Sequence, residues 1–125
     1  MLIDTNVLIR YLLQDHDELS KKATDIIINN DAICLHAVIY EVIHVLQSIY
    51  KMDRVAIADL LTALFVNQVI GSENKAVIIR TLAVFKQTSM DFIDCLLIAR
   101  HILYQDTIHS FDKKLNNYIL RHNSH

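Results

Sequence analysis

Apolar residues along the chain recur in two rhythms. Steps of three and four put Val7, Leu8, Tyr11 and Leu12 on one side of a helix, then Leu19, Ala23, Ile26 and Ile27, then Val38, Val42, Val45, Leu46 and Ile49, then Ile57, Leu60, Leu61 and Leu64. Between them stand runs too brief for a helix: Leu2-Ile3, Ala32 to Leu35, Val69-Ile70 and Thr107 to His109. These read as buried strands. Polar residues fix several boundaries. Asp15 and Glu18 have capping-box spacing ahead of a helix from about His16 to Asn29, and another helix runs from Ala37 to about Tyr50. Asp53 caps the next, Ser72 to Asn74 start one lasting to about Gln87, Ser89 caps one from about Asp91 to Tyr104, and a last helix opens near Asp112.

Short strands alternating with longer helices predict a single α/β domain of three layers, α/β/α, around a central parallel sheet of four or five strands with Leu2-Ile3 in the middle. The domain is expected over residues 1–120. Residues 121–125, with His122, Ser124 and His125, read as a disordered tail.

Composition narrows the classes. The chain has 125 residues, enough for one self-supporting core, and its 53% hydrophobic and 21% charged content is that of a globular protein. No apolar run reaches the roughly 18 residues a membrane helix needs. The opening Met-Leu-Ile-Asp-Thr-Asn lacks the basic flank and apolar middle of a signal peptide, so a cytoplasmic protein without a membrane partner is expected. With no proline and one glycine, Gly71, glycine-rich phosphate loops are excluded. Cys34 and Cys95 lack metal-finger or redox spacing and read as reduced core thiols. The net charge of −2 argues weakly against a nucleic-acid partner. Its distribution softens that: residues 1–69 hold five Lys/Arg against nine Asp/Glu, residues 70–125 seven against five.

Four carboxylates fall where an α/β sheet binds ligands, beyond the carboxyl ends of its strands. Asp4 ends the first strand, Asp112 follows the last, Asp94 lies in the first turn of a helix and Glu41 in the first or second turn of another. All four can reach one sheet edge. Four like charges gathered together repel unless a cation neutralises them, and an all-oxygen donor set suits Mg2+ or Mn2+, one ion or two. Such ions orient and deprotonate an attacking water and offset charge on a scissile phosphate. Singly, each acid has a plainer reading: Asp112 and Asp91 as helix caps or first-turn dipole partners, Glu41 as a solvated helix residue and Asp4 as a residue that shapes the turn. Asp94 is the hardest to dismiss, because Phe92, Ile93, Cys95, Leu96, Leu97 and Ile98 make its helix apolar almost all round.

Four ordered segments, Leu2-Ile-Asp4-Thr-Asn6-Val-Leu-Ile-Arg10, Val38-Ile-Tyr-Glu41-Val, Asp91-Phe-Ile-Asp94-Cys-Leu-Leu-Ile-Ala and His109-Ser110-Phe-Asp112-Lys-Lys-Leu, resemble the PIN-domain family. The resemblance runs from Leu2 to about Leu120 and looks nearest to the VapC-like toxins of toxin–antitoxin pairs. It implies a PIN-like α/β/α fold and a metal-dependent endoribonuclease in which Asp4, Glu41, Asp94 and Asp112 form the catalytic and metal-binding quartet. It also implies that Asp91 is an accessory metal ligand and that Asn6 and Ser110 hold the quartet in place. An RNA substrate, an antitoxin protein and a homodimer follow from the same likeness. The apolar surplus of Leu60, Leu61, Leu64 and Phe65 is a candidate dimer surface. Two features depart from the family's pattern: Lys114 stands where some members have a further acid, and Ala37 where proline is frequent.

Arg10, Arg100, Lys113 and Lys114, each near a quartet member in sequence, are candidates to touch RNA, with a solvated helix face as the equal alternative. No aromatic platform for unstacked bases stands out. His44 and His109 lie near Glu41 and Asp112, yet a zinc site needs three or four converging ligands. Two rival functions remain: a PIN-like scaffold that binds RNA or protein without cutting, and a phospho-accepting domain built on Asp4. The second leaves Glu41 and Asp94 without a role.

Overall fold

A computed structural model describes residues 1–123. Its elements follow the order α1 (Thr5–Leu13), α2 (Asp17–Ile28), β1 (Ile33–Cys34), α3 (His36–Ser48), α4 (Arg54–Val66), β2 (Gly71–Ser72), α5 (Lys75–Gln87), α6 (Phe92–Tyr104) and α7 (Lys113–Asn123). The resemblance to PIN domains implies an α/β fold, but the structure is 68% helical, and the expected sheet of four or five strands is not what forms. Ile33 pairs with Gly71 and Cys34 with Ser72 in parallel, and Leu2 adds one parallel bridge to Ile33. β1, rather than Leu2-Ile3, therefore holds the middle.

The missing strands have local causes. The Val69 and Ile70 amides donate to the Leu64 carbonyl, at 2.9 and 3.4 Å, and so close the end of α4. Pairing starts two residues later than expected. Thr107 to His109 forms no strand, and Asp106 just before it is tied back to α6: Arg100 Nε donates to Asp106 Oδ2 at 2.7 Å and His101 Nδ1 lies 2.9 Å from the Asp106 carbonyl. At the other end α7 runs through Asn123, into the stretch read as a tail. Ser124 and His125 lie outside the described residues.

Capping follows the sequence in part. Asp53 and Asn74 accept from Ala56 and Val77 amides and start α4 and α5 as expected. The Asp15/Glu18 box does not form. His16 Nδ1 accepts from the Leu19 amide at 3.1 Å, because Asp15 is drawn into an ion pair with Arg10 at 2.7 Å. Ser89 does not cap α6 either; its hydroxyl accepts from Lys114 Nζ at 2.9 Å.

The core is filled from every helix, with Leu8, Ile27, Ile39, Leu46, Ile57, Leu61, Phe65, Ile78, Phe85 and Ile98 fully buried and Leu115 reaching in from α7. α5 packs between α4 and α6, and α1 between α2 and α3. The apolar surplus of α4 is spent here: Leu61, Leu64 and Phe65 are buried and Leu60 half-buried, which removes them as a dimer surface. Cys34 and Cys95 are free and buried, as expected, and burial pushes the Cys34 thiol up to about 12. Among the described residues no helix is long and apolar enough to cross a membrane.

One side chain locks the approach to α6. Arg54 lies over the Phe85 ring, 3.7 Å from its centroid, and donates to the Phe85 carbonyl at 2.9 and 3.1 Å and to the Met90 carbonyl at 2.6 Å. These bonds close the end of α5 and fix the turn before Asp91. Arg54→Met keeps the stem but leaves both carbonyls without this donor, so chemical denaturation should show a loss of about 2–3 kcal/mol. A variant as stable as the parent would show that the turn holds itself.

Candidate metal centre

Each sequence-predicted acid stands at the start of a helix. Asp4 is the N-cap of α1, its Oδ1 accepting from the Val7 amide at 3.0 Å. Glu41 lies in the second turn of α3, Asp94 in the first turn of α6, and Asp91 at the N-cap position of α6 with no side-chain capping bond. Asp112 precedes α7 and accepts from the Leu115 amide through Oδ1 at 3.1 Å. The positive end of each helix dipole offsets part of the negative charge. Asp4, Glu41, Asp91 and Asp112 are exposed, and Asp94 is partly buried.

A chain of contacts links them. The strand-like pairing of residues 1–3 with β1 sets the starts of α1 and α3 side by side, and there Thr5 Oγ1 donates to Glu41 Oε2 at 2.7 Å. Tyr40, the neighbour of Glu41, packs against Phe92, between Asp91 and Asp94, with ring centroids 6.2 Å apart. Asp94 then faces Asp112. Its carboxyl is raised above the ordinary carboxylate value first by burial and then by the charges of Asp112 and Asp91.

The acids thus form two neighbouring groups, Asp4 with Glu41 and Asp91 with Asp94 and Asp112. Among the described residues no three His, Cys, Asp or Glu side chains converge closely enough to hold an ion in this arrangement. Three of the acids have an oxygen committed locally, to the Val7 amide, the Thr5 hydroxyl and the Leu115 amide. The donor chemistry nonetheless fits a hard divalent cation: five carboxylates, with no competing sulfur or imidazole in the set.

The supporting residues divide. Ser110 does hold its neighbour, its hydroxyl accepting from the Asp112 amide at 3.0 Å, while Asn116 Nδ2 donates to the Ser110 carbonyl. Asn6 makes no such bond to an acid and lines a cleft between α1 and α2 with Arg10. Arg10 is committed to Asp15 and the Tyr50 hydroxyl, and Arg100 to Asp106 and the Tyr104 ring. Lys113 is exposed, and Lys114 reaches Ser89. Sequence reasoning missed Thr5, Tyr40 and Phe92, the residues that connect the acids. It also missed Phe111, fully exposed beside Asp112. Phe111 was visible in the His109-Ser110-Phe-Asp112 segment, but only the structure shows that its ring has nothing to cover it.

A folded-state carboxyl raised above its ordinary value of 3.8 holds its proton more tightly than the unfolded chain does. Stability contributed by Asp94 therefore falls as pH rises from the ordinary value through the raised one. In chelator at neutral pH, Asp94→Asn should melt at or above the parent temperature, with the difference vanishing below the ordinary carboxylate range. Melting several degrees lower at neutral pH would show that the charged carboxylate is a structural asset.

No curated protein and no solved structure matches the chain. The PIN domain model matches residues 1–119, from the first strand-like segment through most of α7. PIN domains are generally nucleases, bind RNA and typically use divalent metal ions. With the match spanning nearly the whole sequence, this chain belongs to the PIN-domain family.

Proposed function

We propose that the protein is a Mg2+- or Mn2+-dependent endoribonuclease, the VapC-like toxin of a toxin–antitoxin pair, acting in the cytoplasm as a homodimer that an antitoxin silences. The observation that carries the nuclease reading is the strained placement of Asp94, partly buried and faced by two further carboxylates. A cation relieves such a cluster, whereas a merely structural acid gains nothing from it.

In this reading Asp4, Glu41, Asp94 and Asp112 would hold the ion, with Asp91 as an accessory ligand. When bound, the ion offsets charge on the scissile phosphate and lowers the pKa of the attacking water. Thr5 orients Glu41, and Ser110 fixes the backbone from which Asp112 projects. Phe111 offers a bare ring beside Asp112 on which an unstacked base can lie, which favours single-stranded RNA. A second reading, a PIN-like scaffold that binds RNA without cutting it, is favoured by the lack of three converging ligands among the described residues.

Cleavage of a single-stranded RNA pool with Mg2+, Mn2+ or chelator separates the two. The parent should cut only with metal. Asp4→Asn, Asp94→Asn and Asp112→Asn should lose activity by about 100-fold or more, since even groups that merely orient ligands are worth about 10–100-fold; Asp91→Asn should lose less. Phe111→Ala should raise KM about tenfold, the scale of one base-stacking contact. Cleavage in chelator, or an Asp4→Asn protein as fast as the parent, would overturn the mechanism.

A further inference from the structure

Beyond the acids, a cavity of about 470 Å3 opens between the 87–90 segment that joins α5 to α6 and one face of α7. Lys114, Tyr118, Arg121 and His122 line the α7 side. They stand at intervals of four, three and one, which places them on a single helical face. No Asp or Glu contributes to the lining. In a chain of net charge −2, this gathering of cationic side chains is a local feature and not an average one.

Its position ties it to the acids. Ser89, on one wall, lies two residues before Asp91, and Lys114, on the other, two residues after Asp112; the two are joined by the 2.9 Å bond from Lys114 Nζ to Ser89 Oγ. The cavity therefore begins where the acids end. From Lys114 it follows α7 for seven residues to Arg121, about 10 Å at the helical rise. Arg121 is exposed and forms no ion pair with a described residue, so its guanidinium is available to a ligand. Tyr118 is half-buried and packs against the core, which presents its ring at little further entropic cost.

We propose that this groove holds the stretch of single-stranded RNA adjoining the bond to be cut, with phosphates on Lys114 and Arg121 and a base against Tyr118. The proposal rests on the ribonuclease reading and assigns the substrate a direction away from the acids. Acidic side chains alone repel a polyanion, so a cationic surface beside them is needed for a strand to be held there. The lysine that departs from the family's pattern of acids, Lys114, becomes the first phosphate contact of the track.

Binding of an end-labelled, single-stranded RNA to the full chain, measured in chelator across a salt series, tests the groove without cleavage. Lys114→Gln and Arg121→Gln should each weaken binding several-fold and lower the slope of log affinity against log salt by about 0.7, the value for one phosphate contact on a single strand. Tyr118→Leu, which keeps the contact with the core, should lose about tenfold, and Tyr118→Phe should bind like the parent because the ring face survives. Parent-like affinity and slope in both glutamine variants would overturn the proposal. So would an oligoglutamate peptide that binds the groove more tightly than RNA, which would point to an acidic protein segment as the occupant. If the groove variants bind normally while Asp4→Asn still abolishes cleavage, the groove falls and the nuclease stands. A parent that neither binds nor cuts RNA ends both.

Discussion

Two backbone hydrogen bonds set the geometry on which the site depends. Ile3 donates to the Ile33 carbonyl at 3.1 Å and Ile33 to the Met1 carbonyl at 2.7 Å, tying the amino terminus alongside β1. Each segment runs directly into a helix, so pairing them in parallel brings the starts of α1 and α3 to the same edge. Asp4 and the Thr5–Glu41 bond follow from that placement. The short ladder continues through Gly71 N to the Ala32 carbonyl at 2.8 Å, which brings in β2 and the start of α5. The sheet is small because little more pairing is required to fix these helix starts; buried helix faces supply the apolar area that drives folding.

The second half of the site is positioned by packing and not by strands. α6 is held against α5, and Arg54 clamps the turn that precedes it. Tyr40 against Phe92 then couples α3 to α6. Electrostatics works against this arrangement, since Asp91, Asp94 and Asp112 share one neighbourhood and Asp94 carries the cost. A natural protein that keeps such an opposition is keeping it for a ligand of opposite charge, or for a partner that brings one. That general expectation, joined to the family assignment, supports reading these five acids as more than helix caps.

Much of this was legible in the sequence. Periodicity located the helices to within a few residues, and Asp4, Asp53, Asn74 and Asp112 announced their starts. The strands were less legible. Val69-Ile70 is apolar enough for a strand, yet its amides close α4 instead, a choice that depends on where Leu64 ends up. Helix ends were obscured because the chain has no proline and one glycine, and α1 and α6 close on Gln14 and Gln105 at φ of 51° and 59°, residues that give no such signal. The acids stand out in the sequence as candidates, but their division into two groups does not. It is decided by which neighbour each oxygen accepts from, and Thr5 and Leu115 carry no mark of that role in the sequence.

The central claim is that the two groups of acids serve one divalent ion. Amide NMR spectra of the full chain titrated with substoichiometric Mn2+ test this directly, because the paramagnetic ion broadens signals near it. The account predicts that the amides of Asp4 to Asn6, Glu41, Asp91 to Asp94 and Asp112-Lys113 broaden together along a single binding curve. Broadening confined to one group, or scattered over unrelated surface acids such as Glu18 and Asp59, would contradict it.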